Sequence, residues 1–265
     1  MPTVQAGGLN INYSDTGGDG TPVLLLHAFP FDSTMWEPQI EALSDRFRFI
    51  TVDFMGFGGS DAHEDPSAYS MDAFAEQAAA VLDDLGLDQV VLGGLSMGGY
   101  ATFAFLRRFR DRVSALILAD TRAEADPPEG VEKRTTQQGL VRDKGTAPLI
   151  EGLVNALLAE PTREKNPELV DRVKRLMENP AAGFIGALDA MKRRPDSSDE
   201  LTAISVPTLV IVGENDGVTP PDAARKIHEH VGGSRLVVIP EAGHLSSLEA
   251  PQAFNGAVAE FLGSL

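Results

Sequence analysis

Short runs of leucine and β-branched residues recur along this chain with segments of helix length between them. They are VLLL (23–26), RFITV (48–52), QVVLGGL (89–95), VSALILA (113–119), PTLVIVG (207–213) and RLVVIP (235–240). A strand with one wet face alternates apolar and polar residues. The later runs are apolar throughout, as parallel strands covered on both faces require. Strands alternating with helices imply an α/β fold around a mostly parallel sheet. Ahead of them, Thr3–Ala6 and Leu9–Asp15 flank Gly7-Gly8 and predict an N-terminal hairpin. The spacing of Met71, Phe74, Ala78, Val81, Leu82 and Leu85 predicts a helix over 70–86, with Ser70 as N-cap and Gly86 as C-cap. Segments 97–109, 221–231 and 248–262 read as further helices.

The alternation stops between 122 and 204. That stretch holds no strand run, only helical patterns broken by Pro127-Pro128, Pro148, Pro161, Pro167, Pro180 and Pro195. An all-helical insert between strands of a parallel sheet predicts a lid over the strands' carboxyl ends. The expected division is a core of 1–121 and 205–265 and a lid of 122–204.

Charge and cysteine usage narrow the function classes. Over 265 residues the formal net charge is −17, which repels nucleic-acid phosphates and anionic lipid. Cysteine is absent, so disulfides, thiolate zinc sites and a cysteine nucleophile are excluded. The start MPTVQAGGLNINYSD has no basic segment followed by an apolar one, and no run approaches 18 apolar residues. A cytoplasmic protein without membrane insertion is the expectation.

Residues 93–99, GGLSMGG, lie between a strand run and a helix pattern. A dinucleotide fingerprint needs glycines at i, i+2 and i+5, and no register of Gly93, Gly94, Gly98 and Gly99 supplies them. A P-loop needs Gly-Lys-Ser/Thr, and no lysine occurs between 93 and 110. What fits is G-x-S-x-G, with Ser96 on a strained strand-to-helix turn whose neighbours two residues away must be small. The helix beginning at Met97 aims its N-terminus at the serine and favours negative charge there.

A serine hydroxyl needs a base, normally histidine oriented by a carboxylate. Asp216 follows the run 207–213 and His244 the run 235–240, both at strand carboxyl ends, in the order Ser96, Asp216, His244. Asp120, at the end of the run 113–119, is the alternative acid. His228 and His230 fall on a surface helix and His63 in a polar loop, while His27 opens the loop His27-Ala28-Phe29-Pro30 after the run 23–26.

Together these residues resemble the α/β-hydrolase superfamily, in its cofactor-free, esterase- and lactonase-like branch, over essentially the whole chain. His27-Ala28-Phe29-Pro30 is similar to the family's His-Gly oxyanion loop, and Asp53-Phe54-Met55-Gly56-Phe57-Gly58-Gly59-Ser60 to its Asp-x-x-Gly-x-Gly-x-Ser loop. Gly94-Leu95-Ser96-Met97-Gly98-Gly99 is similar to its nucleophile elbow, and Gly243-His244 with Glu249-x-Pro251 to its histidine segment. The resemblance implies an eight-stranded, mostly parallel sheet flanked by helices, with an inserted helical lid and neither cofactor nor metal. It implies Ser96 as nucleophile, His244 as base and then acid, and Asp216 as orienting acid. The oxyanion donors would be the backbone N–H groups of Phe29 and Met97. Ala28 stands where the family carries glycine, a substitution strained if the position needs positive φ.

Serine at position 96 sets the chain apart from the aspartate-nucleophile dehalogenases and epoxide hydrolases of this fold. The expected activity is hydrolysis of small to medium carboxylic esters, with His27, Leu153, Leu157, Phe184 and Leu188 as candidate pocket residues and Leu158 beside them. The nearest rival is a lactonase, for example one acting on an enol-lactone that carries a carboxylate held by Arg122, Arg134 or Arg142. A C–C hydrolase or perhydrolase would use the same triad, and a non-catalytic ligand-binding member would not use it. The expected partner is a small-molecule ester or lactone, and a homodimer is an assembly left open.

Overall fold

Gly7 and Gly8, both at positive φ, turn β1 (Thr3–Ala6) back onto β2 (Leu9–Asp15), with Ala6 paired to Leu9. The computed structural model describes residues 2–265. Six parallel strands follow the hairpin: β3 (Thr21–Leu26), β4 (Phe47–Val52), β5 (Val90–Leu95), β6 (Val113–Ala119), β7 (Thr208–Gly213) and β8 (Arg235–Ile239). The sheet order is β1-β2-β4-β3-β5-β6-β7-β8, with β2 antiparallel to β4. The eight-stranded, mostly parallel sheet therefore stands as the resemblance implied.

Every residue of β5 and β7 is buried, which explains their unbroken apolar runs. β8 is the exception to the expected double coverage. As the edge strand it leaves Val238 37% exposed and Leu236 and Val237 half-buried.

Between the strands run α1 (Glu37–Leu43), α2 (Met71–Asp84) and α3 (Met97–Phe109). The Ser70 hydroxyl accepts the Ala73 N–H at 3.0 Å and caps α2. Between β6 and β7 come α4 (Pro128–Lys144), α5 (Ala147–Leu157), α6 (Glu160–Lys165), α7 (Pro167–Leu176) and α8 (Ala181–Lys192), an all-helical insertion. The chain closes with α9 (Pro221–His230), α10 (Ser246–Glu249) and α11 (Pro251–Leu262), where the sequence suggested one helix over 248–262. Ala250, whose φ of −134° and ψ of 60° are not helical, lies just before Pro251 and separates the two. No helix among the described residues is long and apolar enough to cross a membrane.

Strand order reverses between β3 and β5, since β4 lies on one side of β3 and β5 on the other. The crevice beyond the carboxyl ends at such a reversal is where open α/β sheets bind ligands. Both the loop after β3 and the turn after β5 open there.

The insertion is docked on the core by close backbone approach. A Cβ added at Gly183 of α8 would lie 2.0 Å from the carbonyl oxygen of Gly56, and one at Gly186 would enter the Tyr69 ring. Asn179 adds hydrogen bonds, accepting from Gly58 N at 2.8 Å and donating to Pro30 O at 3.0 Å. Because the partner atoms at Gly183 are backbone, a methyl there cannot be absorbed by a rotamer change. Gly183→Ala is expected to destabilise by about 1–3 kcal/mol, read as a Tm lower by roughly 2–10 °C.

Candidate active site

Ser96 carries φ 54 and ψ −111, a left-handed backbone that few non-glycine residues adopt. The surroundings hold it there. Its N–H donates to Ala119 O at 3.0 Å, and its carbonyl accepts from the Thr121 hydroxyl at 2.9 Å and Tyr100 N at 3.2 Å. A Cβ on Gly94 would fall 2.3 Å from the Gly98 carbonyl, and one on Gly98 would fall 2.1 Å from Leu26 O of β3. Both flanking glycines are thus demanded by the tightness of the turn. Ser96 opens α3 without using its hydroxyl as a cap, so Oγ is free to bond elsewhere.

That bond goes to His244. Ser96 Oγ lies 2.8 Å from His244 Nε2, and His244 Nδ1 lies 2.8 Å from Asp216 Oδ2. With Nδ1–H donating to the carboxylate, Nε2 presents its lone pair to the serine hydroxyl. Asp216 is fixed in turn. Its Oδ1 accepts from Val218 N at 2.8 Å and Thr219 N at 2.9 Å, and its Oδ2 accepts the Thr219 hydroxyl at 2.7 Å. The His244 backbone is tied to the insertion, its N–H donating to Leu157 O at 2.9 Å. Glu249 clamps the same loop, accepting from Gly243 N and Ala159 N at 2.9 Å each and from the Thr162 hydroxyl at 2.7 Å.

Charge is unequally distributed across this site. Burial alone would raise the Asp216 pKa, but the imidazole and the Thr219 donors hold it below the usual carboxylate value. Burial pulls His244 down, and the charge and hydrogen bond of Asp216, with Asp120 behind them, carry it above the usual histidine value. Asp120, the alternative acid, makes no hydrogen bond to His244. Its Oδ1 accepts from Gly213 N at 2.8 Å, and its Oδ2 meets the Ser246 hydroxyl at 2.5 Å and Ser246 N at 3.3 Å. Burial, then the charge of Asp216, push its pKa up to about 8. Burial and repulsion thus favour the neutral form of Asp120, while the imidazole and the Thr219 donors favour the charged form of Asp216.

On the other side of the crevice, the backbone N–H groups of Phe29 and Met97 donate to no acceptor within the described chain. Ala28 is not among the residues at positive φ, so it fits the loop without strain. His27, expected in the pocket, is fully buried behind this loop. Its Nδ1–H donates to Ala28 O at 2.9 Å, and its Nε2 accepts from Phe54 N at 3.0 Å. The ring is therefore neutral, in line with burial lowering its pKa. It joins the loop after β3 to the loop after β4 and does not line the pocket.

A cavity of about 460 Å³ opens over Ser96 and His244. Leu153, Leu157 and Leu158 line it, together with Phe29, Tyr100, Met191 and Val218. Phe184 and Leu188 do not. Both are fully buried on α8, with the Phe184 ring 5.4 Å from that of Phe29, because α8 spends its apolar face on the core. Tyr100 was missed by sequence reasoning. It stands one helical turn after Ser96, under the Arg194 guanidinium, which lies 4.0 Å from its ring centroid. Thr219 was missed as well. The Asp216-x-x-Thr219 spacing, typical of a side-chain-capped turn, was the available signal.

A family model described as alpha/beta hydrolase fold matches residues 21–251. A solved thermophilic esterase from Thermogutta terrifontis, malate bound, is similar with a TM-score of 0.93 and 42% identity, over 99% of this chain and 96% of that one. The 3-oxoadipate enol-lactonase 2 of Acinetobacter baylyi is 31% identical over 258 residues, 97% of this chain and 94% of its own length. The 2-hydroxy-6-oxononadienedioate/2-hydroxy-6-oxononatrienedioate hydrolase of Klebsiella pneumoniae is 30% identical over 280 residues, 98% of this chain and 93% of its own length.

Proposed function

The chain belongs to the alpha/beta hydrolase fold family, and from that premise we propose that it is a serine hydrolase cleaving small to medium carboxylic esters through an acyl-enzyme. The observation that carries this reading is the unbroken relay from Ser96 Oγ to His244 Nε2 and from His244 Nδ1 to Asp216, each contact 2.8 Å.

In this reading Ser96 Oγ attacks the ester carbonyl while His244 takes its proton. The N–H groups of Phe29 and Met97 hold the oxyanion, and the α3 N-terminus adds its dipole. His244 returns the proton to the departing alcohol. A water molecule, deprotonated by His244, then opens the acyl-enzyme and releases the acid. Leu153, Leu157 and Leu158 offer apolar surface to the acyl chain, and a cavity of about 460 Å³ suits a small substrate. The Thermogutta esterase, at 42% identity, supports an ester over a C–C substrate.

A panel of ethyl butyrate, 4-nitrophenyl butyrate, simple lactones and a 1,5-diketone tests the substrate class. Ester turnover is the expected result. Lactone opening without ester turnover would transfer the assignment to a lactonase, and diketone cleavage alone to a C–C hydrolase.

The pH dependence follows from the base. His244 must be neutral to accept the serine proton, and its pKa lies above the usual 6.5. On a stable ester, kcat/KM is expected to rise with pH through a midpoint above about 6.5 and to be lost below it. A pH profile with its acid limb centred below about 6 contradicts this.

A further inference from the structure

Acidic residues outnumber Lys and Arg by 39 to 22 in this chain, so most cations have acids to pair with. Around the cavity the balance reverses. Arg122, Lys133, Arg134 and Arg163 line it against Asp126 and Glu160. Asp126 is already shared by Arg134 and by Arg194 at 2.8 Å. Among the described residues, Arg122, Lys133 and Arg163 form no ion pair.

Arg122 is the cation nearest the chemistry. It follows Thr121, whose hydroxyl bonds the Ser96 carbonyl, and it donates through Nη2 to the Val218 carbonyl in the Asp216 loop. Its charge is felt at His244. Its Nε is buried with no hydrogen-bond partner. Of the two acids two residues away in sequence, Glu124 is paired with Lys226 at 2.9 Å, and Asp120 is bonded to Gly213 N and the Ser246 hydroxyl. A guanidinium left with unused donors beside a nucleophile is matched by a carboxylate, which accepts two N–H groups in charge-assisted bonds.

We infer that Arg122 is the anion-recognising residue of this cavity, and that the substrate is an ester or lactone bearing a carboxylate a few bonds from the scissile carbonyl. This rests on the ester-hydrolase reading. The net charge of −17 works the other way, repelling anions at long range, so a preference for anionic esters would have to come from local recognition.

Three esters of matched size test it: ethyl butyrate, monoethyl succinate with the carboxylate on the acyl side, and O-butyrylglycolate with it on the alcohol side. Wild-type protein is expected to prefer one of the anionic esters by about 10-fold or more in kcat/KM. Arg122→Gln is expected to cut that preference by roughly 10- to 100-fold, and Arg122→Lys to keep part of it. A purely structural Arg122, bracing the Val218 loop, would lower all three esters alike and leave the ratio intact, which overturns the proposal. So does a wild-type ratio at or below one.

Calorimetric titration of succinate into Ser96→Ala protein reads the subsite without turnover. Affinity is expected to drop about 10-fold or more when Arg122→Gln is added, and an unchanged affinity overturns the assignment. If no ester is turned over, the hydrolase reading falls, and the titration still decides the subsite.

Discussion

Ser96→Ala is expected to lower kcat/KM on 4-nitrophenyl butyrate by about 10⁵- to 10⁶-fold, the scale on which removing a nucleophile collapses such a relay. The change removes the proposed bond-forming atom and little else. Ser96 is only 8% exposed, its backbone is held by Ala119, Thr121 and Tyr100, and alanine keeps the Cβ that the turn already accommodates. The melting temperature should therefore stay within about 2 °C of wild type, since the change opens no large cavity, removes no helix cap and leaves the backbone of the turn as it was. Kinetics and a thermal melt on the same preparation separate loss of chemistry from loss of fold. Residual hydrolysis from Phe29 and Met97 holding the oxyanion is expected to persist above the uncatalysed rate.

Asp216→Asn is expected to cost about 10⁴-fold in kcat. An amide at this position can turn its NH₂ toward Nδ1, which forces the imidazole proton onto Nε2 and removes the lone pair that Ser96 needs. Asp120→Asn is expected to cost less than about 10-fold, because Asp120 makes no hydrogen bond to His244, burial already favours its neutral form, and an amide can keep its oxygen on Gly213 N while its NH₂ donates to the Ser246 hydroxyl. Measuring kcat for both variants on one ester tests which of the two strand-end acids orients the base. Equal losses, or a larger loss at Asp120, would reverse the assignment of roles.

That pair of acids marks the boundary of what was legible in the residues alone. Both follow parallel strands, so both arrive at the reactive edge, and strand runs are read from local sequence with ease. Which carboxylate meets His244 depends on how two loops fold over each other. The structure resolves it through Thr219 and Val218, whose donors turn Asp216 toward the imidazole, while Gly213 and Ser246 occupy Asp120. The same limit explains the helical insertion. Spacing reveals that a helix has an apolar face but not what that face meets. Leu153 and Leu157 on α5 meet the cavity, whereas Phe184 and Leu188 on α8 are consumed by packing against the core. His27 stood at the right loop for a pocket residue, and only the approach of Phe54 N to its Nε2 turns it inward. The elbow was legible because its constraint is local: close approach at Gly94 and Gly98 leaves a sequence mark that needs no tertiary information.

The most direct test of Ser96 as nucleophile is covalent capture with an alkyl 4-nitrophenyl phosphonate, whose tetrahedral phosphorus imitates the intermediate of acyl transfer. Wild-type protein should release one nitrophenolate per chain, lose its esterase activity in step, and carry the phosphonyl group on the peptide containing Ser96. The Ser96→Ala protein should carry none. Undiminished hydrolysis without an adduct, or an adduct on another side chain that accounts for the lost activity, would contradict the assignment.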